Sequence, residues 1–359
     1  MNSFFNLPHA QFDELLASWG QPRYRASQVW QGLYRDLAAT PAEITTIPKS
    51  LRDRLAAEFA FGNLTPLVEA RSSDGQTRKY LFALPDQRQI ESVLMGYERR
   101  RTTCISTQAG CAMGCVFCAT GQMGFRRHLS AGEIVEQVLW FARELKPQND
   151  RLTNIVVMGM GEPFHNYDAT MAAVDLLNDP DGFNFGARRI TISTVGLAPM
   201  IERFAEEKRQ VNLAVSLHAA TDDLRTEMLP INKKYPLAVL FAAVRKYYET
   251  TRRRVTFEWA LIQGKNDTPV QARALSVLAK GLPCHVNVIP LNPTRDYAGQ
   301  ATTRERATAF KEALEGYGIP CTIRVRRGID INAGCGQLAV EDARSTSLPM
   351  LMPEAPDVE

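Results

Sequence analysis

An α/β fold built on a partial βα barrel, carrying a small N-terminal helical unit and a β-rich connector, is what the sequence predicts. Three observations carry it. Apolar residues recur at helical spacing before position 60, a hairpin pattern fills the stretch 65–100, and short apolar strands alternate with amphipathic segments from about 103 onward.

In the first unit, Phe12, Leu15, Leu16 and Trp19 mark one helix and Val29, Trp30, Leu33 and Tyr34 a second, separated by Gly20-Gln21-Pro22. A third is expected over 48–59. The runs 79–84 and 89–94, joined through Pro85-Asp86, read as a hairpin. Six strands then follow at 103–106, 154–158, 189–193, 212–217, 255–259 and 285–289, with amphipathic stretches such as 131–144 and 237–248 between them. Strictly alternating strands and helices favour a parallel sheet with right-handed crossovers. Six units are too few to close an eight-stranded barrel, hence a partial (βα)6 barrel. A further strand at 321–326 leads into a glycine-rich segment. The expected division is 1–62 helical accessory, 63–96 β-rich connector, 97–345 partial barrel and 346–359 a loose, proline-containing tail.

The chain has 359 residues, 45% hydrophobic and 23% charged, with a net charge of +3, so it is globular and not broadly basic. If nucleic acid is the partner, the basic residues must be clustered. Its longest uncharged apolar run, 237–244, is far short of the ~18 residues of a membrane span. Asp13 and Glu14 precede the first base, Arg23, which is unlike a secretory signal. Seven cysteines are too sparse for a disulfide scaffold and fit a reducing cytoplasm.

Four of the seven lie between 104 and 118, and Cys111, Cys115 and Cys118 have the spacing C-x3-C-x2-C. Three thiolates on one short loop suit three irons of a cubane cluster, leaving the fourth iron without a protein ligand. Structural zinc is the alternative and needs a fourth ligand, such as Cys104 or His128. Polar or glycine-rich sequences also follow the strands on their C-terminal side: the cysteine loop, Gly159-Met160-Gly161-Glu162-Pro163, Ser193-Thr194-Val195-Gly196, Ser216-Leu217-His218 and Leu291-Asn292-Pro293. In parallel βα architectures these strand ends meet at one mouth, where sites are built.

The cysteine spacing, with Phe117 before the last cysteine, resembles the signature of radical S-adenosylmethionine (SAM) enzymes. Segments 104–111, 117–121, 158–163, 231–235 and 335–338 together resemble the RlmN/Cfr family of RNA methyltransferases over nearly the whole chain. The resemblance implies a radical SAM barrel with a [4Fe-4S] cluster on Cys111, Cys115 and Cys118. It also implies SAM contacts from Gly161, Glu162, Ser193, Ser216, Leu217, His218 and Asn292. Cys335, in a glycine-flanked loop, would take a methyl group from one SAM, and a radical from a second would activate that group for addition to C2 of an adenine. Cys104 would then release the product through a Cys104–Cys335 disulfide, and Glu91 is the implied general base. C2 of adenine is electron-poor, so direct displacement on SAM does not methylate it, and this route answers that difficulty. Gly334 departs from the family's commoner Ala-Ala-Cys-Gly-Gln-Leu form. Glu162-Pro163 and Arg326-Arg327-Gly328 favour C2 over the C8 position of Cfr.

The implied substrates are 23S rRNA and tRNA, with flavodoxin or ferredoxin as electron donor, a monomeric state and a cytoplasmic location. Basic clusters at 99–101, 126–128, 188–189, 233–234 and 252–254, with Arg324, Arg326 and Arg327, are expected to form a phosphate-binding rim around the mouth. A zinc-stabilised RNA-binding protein without chemistry is the competing class.

Overall fold

The computed structural model describes residues 2–292, 294, 296–324, 329–331 and 337. Cys335, Arg326, Arg327 and the segment 346–359 lie outside them.

The chain opens with β1 (Asn2–Ser3), α1 (His9–Ser18), α2 (Arg23–Tyr34), α3 (Lys49–Glu58) and β2 (Phe59–Ala60). Each of the three helices begins directly after a proline, Pro8, Pro22 or Pro48, whose extended backbone sets the entry. β1 and β2 pair in parallel and close the unit. Next come β3 (Thr65–Arg71), β4 (Thr77–Ala83), β5 (Gln89–Tyr97) and β6 (Arg100–Cys104), paired antiparallel in sequence. The cysteine region holds β7 (Gln108–Gly110), α4 (Ala119–Gln122) and β8 (Phe125–His128). Helix α5 (Ala131–Leu145) starts on a capping box in which Ser130 and Glu133 satisfy each other's backbone N–H.

Alternation follows: β9 (Asn154–Val157), α6 (Tyr167–Asn178), β10 (Ile190–Thr194), α7 (Ala198–Glu206), β11 (Asn212–Ser216), α8 (Asp222–Met228) and α9 (Leu237–Thr251). Then come β12 (Val255–Leu261), α10 (Pro269–Leu278), β13 (Cys284–Pro290), α11 (Arg304–Gly316) and β14 (Cys321–Ile323). The sheet order is β14-β13-β12-β11-β10-β9-β6-β5-β4-β3. From β6 to β14 all neighbours are parallel. All six expected barrel strands are present with the seventh, and the expected hairpin is β4–β5. The first barrel strand ends at Cys104, two residues earlier than its apolar pattern suggested. The β-rich stretch after residue 63 is no separate layer, because β6 pairs with β5 on one side and with β9 on the other.

Side-chain alternation along the parallel strands explains why the barrel has a usable interior. Ile155, Val157, Ile190, Ile192, Leu213, Val215, Phe257, Val286 and Val288 are buried in the core cluster. The intervening residues Asn154, Ser193, Ser216, Thr256, Glu258, His285 and Asn287 are mostly polar, and they face the concave side.

The N-terminal unit has no core of its own. Phe4, Phe5, Phe12, Trp30 and Tyr34 belong to the same apolar cluster as α5 and the barrel helices. Glu136 of α5, buried, accepts from Ser3 Oγ at 3.2 Å and from the Asn63 backbone N–H at 2.6 Å, and Arg143 donates to the carbonyls of Leu37 and Ala38 at 3.1 Å. Glu136→Ala strands these donors against an apolar surface. It is expected to cost about 1–3 kcal/mol, read as a lowered urea midpoint with unchanged slope.

Candidate functional site

One cavity of about 390 Å³ opens at the C-terminal ends of the parallel strands. Its lining includes Glu91, Cys104, Cys111, Cys115, Cys118, Gly161, Glu162, Ser193, Ser216, His218 and Asn292. Ten strand-end and loop positions between Cys104 and Asn292, together with Glu91 from β5, therefore face one space. Leu217 is the exception. Its side chain is buried in the core, and its carbonyl accepts from Arg225 Nε at 3.3 Å and from the Ala219 N–H at 2.8 Å. Alternation along β11 turns that side chain away from the cavity.

The cysteine loop depends on two backbone features. Gly110 has φ +73°, and a Cβ there would lie 1.9 Å from the Gly124 carbonyl oxygen, so only glycine lets β7 and the return strand β8 approach. The Cys111 N–H donates to that same carbonyl at 3.0 Å, and the Val116 N–H donates to Met228 at 3.1 Å, pinning the loop to the end of α8. Burial pushes all three thiols up, Cys111 to about 12, with neighbouring cysteines adding to the effect at Cys115. Thiols so desolvated become thiolates in company with a strong positive charge. The three cysteines all line the cavity, and among the described residues no fourth His, Cys, Asp or Glu gathers with them into a close donor group of the kind a structural zinc takes. Three cysteines of one loop without a fourth protein ligand suit a cluster held at three of its irons. The loop residues thus fit a [4Fe-4S] cluster.

Facing the loop, Glu162 is buried, with burial pushing its carboxyl up to about 7. Its Oε1 accepts from the Phe164 N–H at 3.0 Å and its Oε2 from the Val195 N–H at 2.8 Å, which aims it across the ends of β9 and β10. Gly161, at φ +108°, packs against Gln108, which accepts from the Glu162 N–H at 2.9 Å. Ser193 Oγ and Ser216 Oγ lie 3.2 Å apart. His218 accepts from the Ala260 N–H through Nδ1 at 2.9 Å, so its proton sits on Nε2, and its ring meets Phe117 edge-on. Burial lowers its pKa to about 3. The unfolded chain therefore takes up a proton below about pH 6.5 that the folded chain refuses, and stability is lost as pH falls from 6.5 toward 3. His218→Gln is expected to flatten that part of the curve, compared as urea midpoints at pH 7 and pH 5.

Cys104 ends β6 on the cavity wall, with burial pushing its thiol up to about 11, opposed by the positive charges of Arg324 and Lys79. Glu91 is not a surface carboxylate. Lys79 Nζ lies 2.9 Å from its Oε2, and both side chains are buried. Lys79 escaped the sequence reading, as did fully buried Arg225, which donates to Asn232 Oδ1 at 2.7 Å and the Val195 carbonyl at 2.6 Å. Arg225 thereby ties 231–235 to the strand ends behind the cysteine loop. At Lys79 the signal is a charge set against an apolar run, Lys79-Tyr80-Leu81-Phe82, whereas Arg225, among Asp222, Asp223, Thr226 and Glu227, carries no such mark.

The expected basic rim divides in two. Arg324 lines the cavity and Lys233 and Lys234 end the short helix that follows Leu229 of its lining, while Arg127 is neutralised by Asp86 and Glu133. Arg100, Arg189 and Arg254 stand at or before the starts of β6, β10 and β12 and so lie at the opposite end. There a second, polar cavity is lined by Thr191, Asn212, Arg252, Arg253, Arg254 and Thr256. Parallel strands all begin at one end, so bases that precede a strand cannot surround the mouth where strands finish.

Comparison with known proteins agrees with this geometry. The Radical SAM superfamily model matches residues 105–275, and the Ribosomal RNA large subunit methyltransferase N-terminal domain matches residues 2–60. A probable dual-specificity RNA methyltransferase RlmN of Chloroflexus aurantiacus is 51% identical, covering 92% of this chain and 90% of its own length. The dual-specificity RNA methyltransferase RlmN 1 of Myxococcus xanthus is 49% identical over 97% of both chains. The crystal structure of a radical SAM methyltransferase from Sphaerobacter thermophilus superposes with a TM-score of 0.92 at 50% identity, covering 94% of this chain and 99% of that one. With its N-terminal domain, its barrel and its three-cysteine loop all matched, the chain belongs to the RlmN family of radical SAM RNA methyltransferases, which use a [4Fe-4S] cluster and S-adenosylmethionine.

Proposed function

We propose that this protein methylates C2 of an adenine in 23S rRNA and in tRNA, with Cys335 as methyl carrier and Cys104 as the thiol that releases product. The observation that carries the reading is the placement of Cys104 and Glu91 on the wall of the cavity that holds the three-cysteine loop. An electron-poor C2 needs radical addition and then a way to break a carbon–sulfur bond. A second thiol beside the cluster loop supplies the latter. When bound, the cluster and SAM supply one-electron reductive cleavage of a sulfonium.

The chain's own residues do the rest. Gly161 and Glu162 receive the amino end of SAM, and Ser193, Ser216, His218 and Asn292 receive its other polar groups. The Leu217 backbone sits between two of these. Glu91 removes the C2 proton while Lys79 balances its charge. The Cys104 thiolate attacks the Cys335 sulfur to form the disulfide, the carbon–sulfur bond breaks with its electron pair passing to the product carbon and purine ring, and a proton taken up there completes the methyl group. A stacked adenine cannot enter so recessed a cavity, so the target nucleotide is taken from a loop or extruded. Lys233, Lys234 and Arg324 near the mouth then meet the phosphates. A small reduced electron carrier, flavodoxin or ferredoxin, feeds the cluster in the cytoplasm.

The test is anaerobic reconstitution with iron and sulfide, reaction with a 23S rRNA fragment and with tRNA, and mass spectrometry of the nucleosides. The expected product is 2-methyladenosine. Recovery of 8-methyladenosine overturns the regiochemistry. A reconstituted protein that cleaves SAM but leaves both RNAs unmodified overturns the substrate assignment.

A further inference from the structure

A polar row crosses the concave face at one height. Parallel register aligns Ser216 of β11 with Glu258 of β12, and Glu258 with Asn287 of β13. Ser193 Oγ joins the row through Ser216. Glu258 lines the cavity, yet its residue is only 6% exposed. Asn287 Nδ2 donates to its Oε1 at 3.0 Å. Its Oε2 is buried and makes no hydrogen bond, the Arg324 Nη1 standing 3.9 Å away. A buried carboxylate oxygen without a donor is costly, and one aimed into a ligand cavity calls for a donor on the ligand.

The position decides which donor. Glu162, assigned to the amino end of SAM, hangs over β9 and β10. Glu258 lies two to three strands further along, roughly 10–14 Å at about 4.8 Å per strand. It therefore meets the nucleoside half of a ligand, beside the hydroxyl of Ser216. A carboxylate next to a serine hydroxyl offers adjacent acceptors of the kind that a ribose cis-diol satisfies.

We propose that Glu258, oriented by Asn287, is a binding residue whose free carboxylate oxygen accepts a ribose hydroxyl of a nucleoside in the cavity. The ribose comes either from SAM or from the target nucleotide, and the inference rests on the radical SAM reading of the site. Asn287 acts as the positioning residue, and the Arg324 guanidinium on the outer side partly offsets the burial that pushes this carboxyl up.

Affinities of the anaerobically reconstituted holoprotein test it. Dissociation constants are measured for SAM, its 2′-deoxy and 3′-deoxy analogues, and a 23S rRNA fragment with or without a 2′-deoxy target adenosine. In the wild type, removing the accepted hydroxyl is expected to weaken binding about tenfold or more. In Glu258→Ala the parent ligand binds about tenfold weaker and the deoxy penalty disappears, while Glu258→Gln keeps part of it. Loss of the penalty for a SAM analogue identifies SAM's ribose, and loss for the RNA identifies the target nucleotide. Deoxy penalties unchanged in Glu258→Ala for every ligand overturn the inference and leave Glu258 as a partner of Asn287 and Arg324 only. A wild-type holoprotein that binds no SAM defeats the underlying reading instead. Thermal midpoint and iron content are recorded for each variant, so that a misfolded protein is recognised.

Discussion

Replacing any one of Cys111, Cys115 or Cys118 by serine is expected to abolish RNA methylation, by at least about 10³-fold, or about 4 kcal/mol. The three cysteines line one cavity from separate points on one loop, and each would hold its own iron. Loss of one leaves a cluster iron without its thiolate, in a pocket where no described side chain gathers with the remaining pair into a close donor group. The buried thiols that remain revert to their neutral form, because burial raises each of them and the compensating positive charge has gone. Iron and sulfide content, the brown absorbance and SAM cleavage should fall together, with the thermal midpoint of the apoprotein nearly unchanged. A serine variant that keeps its four-iron chromophore and its activity sinks the assignment. So does a wild-type protein that holds one zinc and no iron after anaerobic reconstitution.

Cys104→Ala has the second large effect, and its signature is different. The cluster loop is untouched, so iron content and reductive SAM cleavage should persist. Product release should fail, by about 10³-fold or more, because the thiol proposed to attack the Cys335 sulfur is gone. RNA joined covalently to the protein should accumulate, seen as a band of retarded mobility that ribonuclease collapses. Cys104 lies on the cavity wall and is badly placed for spontaneous oxidation. Burial holds its thiol protonated, while Arg324 and Lys79 favour the thiolate when a partner sulfur arrives. Free methylated RNA at the wild-type rate from Cys104→Ala would remove Cys104 from the mechanism.

The two results separate residues that sequence handles unequally. The three cysteines proposed as cluster ligands are legible because all three lie within eight residues, and a local spacing survives whatever the rest of the chain does. The barrel strands are equally legible, since an apolar run bounded by glycine and polar residues is also a local signal. Glu91 is only half legible. Its strand can be read, but whether a strand carboxylate is solvated or buried depends on the sheet beyond it. Here β4 brings Lys79 across to it and the concave face closes over both.

By itself, the sequence determined the order of elements, the three-cysteine loop and the glycines that let that loop turn, because each is a property of neighbours along the chain. Tertiary structure alone decided the rest. It set Cys104 and Glu91 beside the cluster loop, turned Leu217 into the core, sent Arg252, Arg253 and Arg254 to the far end of the barrel, and aligned Glu258 with Ser216 and Asn287. The physical reason is the parallel sheet. A strand's two-residue alternation fixes which side chains share a face, but only its register with the neighbouring strands, joined through crossovers of tens of residues, fixes which of them meet.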